Sequence, residues 1–230
     1  MRSHPDRSQT VPSAADNAID EVWLAQPRGA HMKVLLIGAS GRLGSALETT
    51  LRERGHELLS ASRSHAERSV DITDAASIEA LYRQVGPVDA VACAAGSVVY
   101  QPIEEISRDD YAQSFHGKAL SQIELVRAGR GVIAPRGSFT LITGVLAREP
   151  IHTSSAASMA NGAVESFVRA AALELAPIRV NAVSPTVFTE ALDAFGEFFP
   201  GIESVPLDRV AQAYVRSIEG IETGRIFDLG

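Results

Sequence analysis

The chain has 230 residues and 24.4 kDa, with 45% hydrophobic residues and a mean hydropathy of +0.05, which is enough apolar material for one α/β domain with a full core. Its formal net charge of -7 argues against a nucleic-acid surface, which needs clustered excess Lys and Arg. No apolar run approaches the roughly 18 residues of a membrane span, and MRSHPDRSQ lacks the apolar stretch of a secretory signal, so a cytoplasmic protein is expected.

Residues 1–32 are polar, contain proline, have no sustained period and end in a second methionine, Met32. They read as a disordered native extension, a mis-chosen start or a cloning remnant, with Val22–Trp23–Leu24 able to dock on the domain. A single folded domain is expected from 33 to 230. KVLLIGAS is a continuous apolar run into a glycine turn, as a strand covered on both faces should be. LGSALETTLRERG is an amphipathic helix ended by Gly55, and HELLSASRS is a second strand. Asp74 N-caps the next helix, VDAVACAAG is a third long strand, and residues around 103–129 are helical. GSFTLITG is a strand, and SSAASMANGAVESFVRAAALELA is one long helix capped by Ser154 or Ser155. IRVNAVSP, a helix over Val205–Glu219 and GRIFDLG complete the chain. Strands alternating with helices of this length predict a Rossmann-type, three-layer α/β fold: a doubly wound parallel sheet with helices on both faces.

Cys93 is the only cysteine, which excludes an intrachain disulfide and a thiolate metal cluster; in AVACAAG it reads as a buried small hydrophobe. Six histidines without an i,i+4 pair give no zinc signature, and no metal site is expected.

In GASGRLG, glycines 38, 41 and 44 follow a strand and open a helix. Gly38 permits a tight turn, Gly41 lets the backbone approach a pyrophosphate, and Gly44 lets helix and strand pack closely. The phosphates would meet N–H groups of the first helical turn, with Ser40, Arg42 and Leu43 beside them. After the second strand the chain has Ser62–Arg63, where NAD binders commonly place an acidic residue against the ribose hydroxyl. A guanidinium and a hydroxyl suit a 2′-phosphate, so NADP(H) is favoured over NAD(H), with Arg42 adding charge on the same side. Asp71, followed by Ile72, is placed to accept from the adenine amine.

Taken together, the chain from about Lys33 to Gly230 resembles the single-domain group of short-chain dehydrogenases/reductases. VDAVACAAG resembles the strand ending in the family's Asn-Asn-Ala-Gly turn, here Cys93–Ala94–Ala95–Gly96. VRAAALELAPIRVNAVSP resembles the segment carrying Arg179, Asn181 and Pro185, followed by VFTE with Val187 and Thr189, where the family's threonine reaches the cofactor. VPLDRV and ETGRIFDLG match its last helix and strand. The resemblance implies hydride transfer between a nicotinamide and a carbonyl or hydroxyl, and a homodimer or homotetramer paired through the helices near 108–128 and 154–176.

The same resemblance places the catalytic tyrosine at Ala157, the lysine at Asn161, the serine at Gly144 and the asparagine at Ser114, so all four positions are changed. An alanine has no proton to donate and an asparagine no charge to lower a neighbour's pKa. The glycines also lie three and six residues after Gly38, where the single-domain pattern has four and six. Stand-in acids are sought among Thr143, His116 and His152, with Ser154, Ser155 and Ser158 nearby; Tyr100 and Tyr111 match no family position. DAFGEFFPGIES is short and phenylalanine-rich, suited to a small lid, to core packing or to a subunit contact. Three readings stay open: a divergent NADP(H)-dependent oxidoreductase, a catalytically inert NADP(H)-binding sensor or regulator, and an interaction protein without cofactor.

Overall fold

A computed structural model describes residues 31–64 and 67–230 of the chain. Residues 1–30 of the expected extension, with Val22–Trp23–Leu24, lie outside the described residues.

Seven strands form one sheet, all neighbours parallel, in the order β3-β2-β1-β4-β5-β6-β7. β1 (Lys33–Ile37), β4 (Val88–Cys93) and β6 (Arg179–Pro185) are almost wholly buried, because helices cover both faces of the sheet. β2 is Glu57–Ser62, β5 is Ile133–Ile142 and β7 is Ile226–Leu229. The two-residue edge strand β3 (Arg68–Ser69) is too short for a periodic signal, and the sequence reading has no strand there.

α1 (Arg42–Glu53) turns Leu43, Leu47 and Leu51 inward at helical spacing. It ends before Gly55, whose φ of +86° is the left-handed conformation that stops a helix. α2 (Ala75–Val85) opens as expected on Asp74, whose side chain accepts from the Ala76 N–H at 2.9 Å. The helix expected around 103–129 is interrupted: α3 (Arg108–Ser114) passes through a π-helical segment, Phe115–Leu120, into α4 (Ser121–Gly129). α5 (Ser155–Glu174) follows β5, the four-residue α6 (Leu192–Phe195) follows β6, and α7 (Leu207–Glu219) precedes β7. Neither serine at the head of α5 caps it as expected. Ser154 Oγ bonds back to Ile151 N and O, and Ser155 Oγ meets Tyr111 Oη at 2.8 Å.

Buried side-chain bonds lock the layers. Tyr214 Oη donates to the Cys93 carbonyl at 2.6 Å, holding α7 on β4, and Tyr82 Oη donates to Leu125 O at 2.8 Å between α2 and α4. After β1 the chain goes out to β2 and β3, then returns to the other side of β1 as β4. That reversal opens a crevice beyond the carboxyl ends of β1 and β4, where doubly wound sheets bind ligands.

Candidate active site

Two cavities fill the crevice and share Gly41, Ala94, Ala95 and Gly96 as walls. The smaller, about 270 Å³, is lined by Gly38, Ser40 and Gly41, by Ser62 and Arg63, by Asp71 and Ile72, and by Gly117 among others. The larger, about 600 Å³, runs from Arg42 and Leu43 past Lys118 and Thr143–Leu146 to Pro185–Phe188 and the phenylalanines of residues 195–199.

The glycine turn is built for close approach. Gly38 has φ +86°, and a Cβ there would fall 2.8 Å from the Ala94 carbonyl oxygen, where the β1 and β4 turns meet. A Cβ on Gly44 would lie 2.1 Å from Gly38 O, so α1 can pack onto the turn only with glycine. Gly41 is exposed, its nearest such contact being 3.4 Å, and it begins α1 without a side-chain cap. The first-turn amides thereby remain available to an anion beside them.

A family profile described as enoyl-(acyl carrier protein) reductase matches residues 43–214, three-quarters of the chain. The chain belongs to the short-chain dehydrogenase/reductase family. Among solved structures this family member is similar to the protein lin1944 from Listeria innocua, at 42% identity and a TM-score of 0.84, over 86% of this chain and 100% of that one. A small-chain dehydrogenase in complex with NADPH shares the fold at 23% identity and a TM-score of 0.77, over 87% and 97% of the two chains. L-xylulose reductase of Mesocricetus auratus is 26% identical over 217 residues, covering 86% of this chain and 88% of that protein.

Within this short-chain dehydrogenase/reductase, Ser40, Gly41, Ser62, Arg63, Asp71, Ile72, Ala94, Ala95 and Gly96 come together around the smaller cavity. Asp71 Oδ1 accepts from Thr73 N and Oγ1 at 2.9 and 2.7 Å, and those bonds hold its carboxyl below the usual range, with the Arg63 charge adding a little. Ser62 is buried and donates to the Ser64 carbonyl. Arg42 lines the larger cavity, not the one beside Arg63, and reaches Glu190 O at 3.4 Å. Pro185 and Val187 line the larger cavity, but Thr189 lines neither; its hydroxyl meets Ser204 at 3.0 Å, while Thr186 faces the cavity.

At the other end, Gly144 and Asn161 are neighbours, a Cβ on Gly144 falling 3.2 Å from Asn161 Nδ2. Ala157 is fully buried and packs with Val145 and Leu146. Ser114 lines neither cavity; buried completely, it accepts the Val99 N–H at 2.9 Å and pins the loop after β4. Thr143 Oγ1 donates to Asn161 O at 3.2 Å, with Glu165 at 3.4 Å, so its proton is directed into the protein. His116 and His152 are exposed and line neither cavity, so neither stands where an acid is needed. Cys93 is buried and burial pushes its thiol up to about 11, as an inert core residue should be.

The sequence reading missed Lys118 and Gln122 and set Tyr100 aside. Lys118 and Tyr100 line the larger cavity. Gln122 is fully buried; it donates to Lys118 O and Ile142 O at 2.9 Å each and accepts from Ile142 N at 2.8 Å, joining the π-helical segment to the end of β5. The signal present in the sequence was a Lys–Gln pair at i,i+4 beside Gly117. Behind the larger cavity, Arg148 bridges Glu165 and Asp228 at 2.6 Å each and donates to Ser184 Oγ at 2.9 Å, tying the turn after β5 to α5, β6 and β7.

Among the described residues no group of acidic, His or Cys side chains could hold a metal ion, and no helix is long and apolar enough to cross a membrane.

Proposed function

We propose that this protein is an NADP(H)-dependent oxidoreductase acting on a carbonyl or alcohol, with an active site that departs from the tyrosine–lysine pattern of its family. The observation that carries the reading is the continuity of the cleft: the uncapped α1 terminus and the glycine turn share walls with a second, apolar-lined cavity of about 600 Å³. Gly41 leaves space for a dinucleotide diphosphate on a turn that Gly38 and Gly44 allow to close, and a bound nicotinamide would supply or accept hydride. Arg63 would fork onto a 2′-phosphate, with Ser62 beside it, and Asp71 and Ile72 would flank the adenine. Ala94–Gly96, Pro185 and Val187 would border the path toward the larger cavity.

L-xylulose reductase acts, by its name, on a sugar, whereas the far wall here is Leu146, Ile151, Phe188, Phe195, Phe198 and Phe199. A polyol needs matched polar partners, so this wall favours a more apolar substrate. The phenylalanine-rich segment serves as the rim of that cavity. Exposed Phe115, Leu120 and Met159 on the helices around the π-helical segment and α5 support homodimer or homotetramer pairing there, and we place the protein in the cytoplasm.

The test is calorimetry with NADPH and NADH separately, followed by nicotinamide oxidation in the presence of aldehydes and ketones. Binding of NADPH well above NADH is expected; heat with neither sinks the reading. The presence of Ala157 and Asn161 favours a second reading, an inert NADP(H)-binding sensor or regulator, which binds cofactor and exchanges no hydride.

A further inference from the structure

Of the chain's 21 Lys and Arg residues only two are lysines, Lys33 and Lys118. Lys33 Nζ donates to the Val85 carbonyl at the start of β1, far from the crevice. Lys118 lines the larger cavity. An arginine stays protonated wherever it is placed, whereas a desolvated lysine exchanges its proton near neutral pH. In a chain that otherwise uses arginine, the cleft holds the residue type able to donate.

Three features place it there. The π-helical spacing inserts a residue into the helix and changes which face its side chains present. Gln122 bonds the Lys118 carbonyl and both backbone groups of Ile142, fixing the segment against the end of β5. The stem packs on Gly96, where a Cβ would lie 3.4 Å from Lys118 Cγ and Cδ.

The surroundings are those of a site that meets a ligand. Among the described residues Asn161 Oδ1 and Thr186 Oγ1 have no hydrogen-bond partner, yet these residues are only 4% and 6% exposed and both line this cavity. Buried polar atoms are rarely left so without an occupant to satisfy them. Among the described residues none lining the cavity is acidic; the other titratable groups there are Arg42 and Tyr100, with the neutral Cys93 thiol close behind. Burial pushes the Lys118 ammonium down to about 8, whereas it raises the Tyr100 phenol, making that group the poorer acid.

We infer that Lys118 is the proton donor of this active site, acting on the carbonyl oxygen of an apolar aldehyde or ketone whose body packs beneath Phe195, Phe198 and Phe199; the inference rests on the NADP(H) reading above. The carbonyl carbon accepts hydride from the reduced nicotinamide, the π pair moves to oxygen, and oxygen takes a proton from Lys118. The products are an alcohol, oxidised nicotinamide and a neutral amine that regains its proton from water. Asn161 Oδ1 and Thr186 Oγ1 are placed to bind hydroxyl groups within the same cavity.

The test uses the full chain, its Lys118→Met variant, which keeps the stem without the charge, and benzaldehyde and hexanal with NADPH. Lys118→Met should still bind NADPH, lose about 100-fold or more in turnover, and lack the fall in rate above pH about 8 expected of the parent. Its Tm at pH 7 should match or exceed the parent's. A lysine whose folded pKa is depressed penalises the fold below about 8, a penalty that fades as pH rises toward the unfolded value. Carbon-13 methylation of the two lysines gives a readout independent of turnover, with Lys33→Arg assigning Lys118 even if Lys118→Met misfolds. A Lys118 resonance titrating like an ordinary lysine, or Lys118→Met turnover within about threefold of the parent, overturns the inference. NADPH binding with no turnover of either aldehyde overturns it while leaving the cofactor reading intact; no NADPH binding overturns both.

Discussion

The two ends of the cleft are constructed differently. At the nucleotide end backbone packs on backbone: Gly38 against Ala94, Gly44 against Gly38, with the α1 terminus left open. At the far end side chains from several separate stretches converge, and two buried polar atoms remain unpaired among the described residues. The first end derives its shape from steric necessity and tolerates almost no added atom. The second is defined by chemistry and can change residue by residue without disturbing the sheet.

The largest effect should come from breaking the first end. Gly44→Ala puts a methyl 2.1 Å from Gly38 O and should destabilise by about 3 kcal/mol or more. Gly162→Ala, where a Cβ meets nothing within 4 Å on a helix, should instead stabilise by roughly 0.5–1 kcal/mol. Thermal melts of the pair decide it, and equal Tm values would remove the steric account. Next, Arg63→Ala should weaken NADPH roughly 10- to 100-fold and leave NADH almost unchanged, a hydrogen bond to a charged group being worth about 1.5–3 kcal/mol; calorimetry showing equal losses would place Arg63 off the 2′-phosphate.

The far end's support is tested by Arg148→Ala, which leaves the buried Glu165 with only the longer Arg169 contact at 3.5 Å and two hydroxyls. Breaking a fully buried pair costs about 3–5 kcal/mol. With the Arg148 side chain 35% exposed, about 1–2 kcal/mol is expected by urea unfolding, and no change would make the network incidental.

The smallest effect lies away from both ends. Hydrogen bonding from Arg54, then from His56, holds the Glu219 carboxyl below its usual range. A depressed carboxyl contributes stability above its unfolded pKa and loses it as pH falls through the folded value. Glu219→Gln should therefore flatten the acid limb by no more than about 1 kcal/mol, and a steeper limb in the variant would contradict the assignment.

Legibility followed the same division. The long strands, Asp74 as a cap and the glycine turn were readable because each is decided within a few neighbouring residues. Arg42 and Thr189 were harder, since a helix start or a loop lets a side chain turn either way; one reached Glu190, the other Ser204. Lys118 was invisible to a helical period because the π-helical segment breaks that period where it matters.

By itself the sequence determined the order of strands and helices, the parallel sheet and the turn that only glycines can make, all consequences of local sterics and apolar periodicity. Only the tertiary structure decided that Lys118, Asn161 and Thr186 share one cavity while Ser114, Ala157, His116 and His152 do not. The reason is that these residues are brought together by strand order and by one inserted helical residue, and neither leaves a mark on the local pattern of the chain.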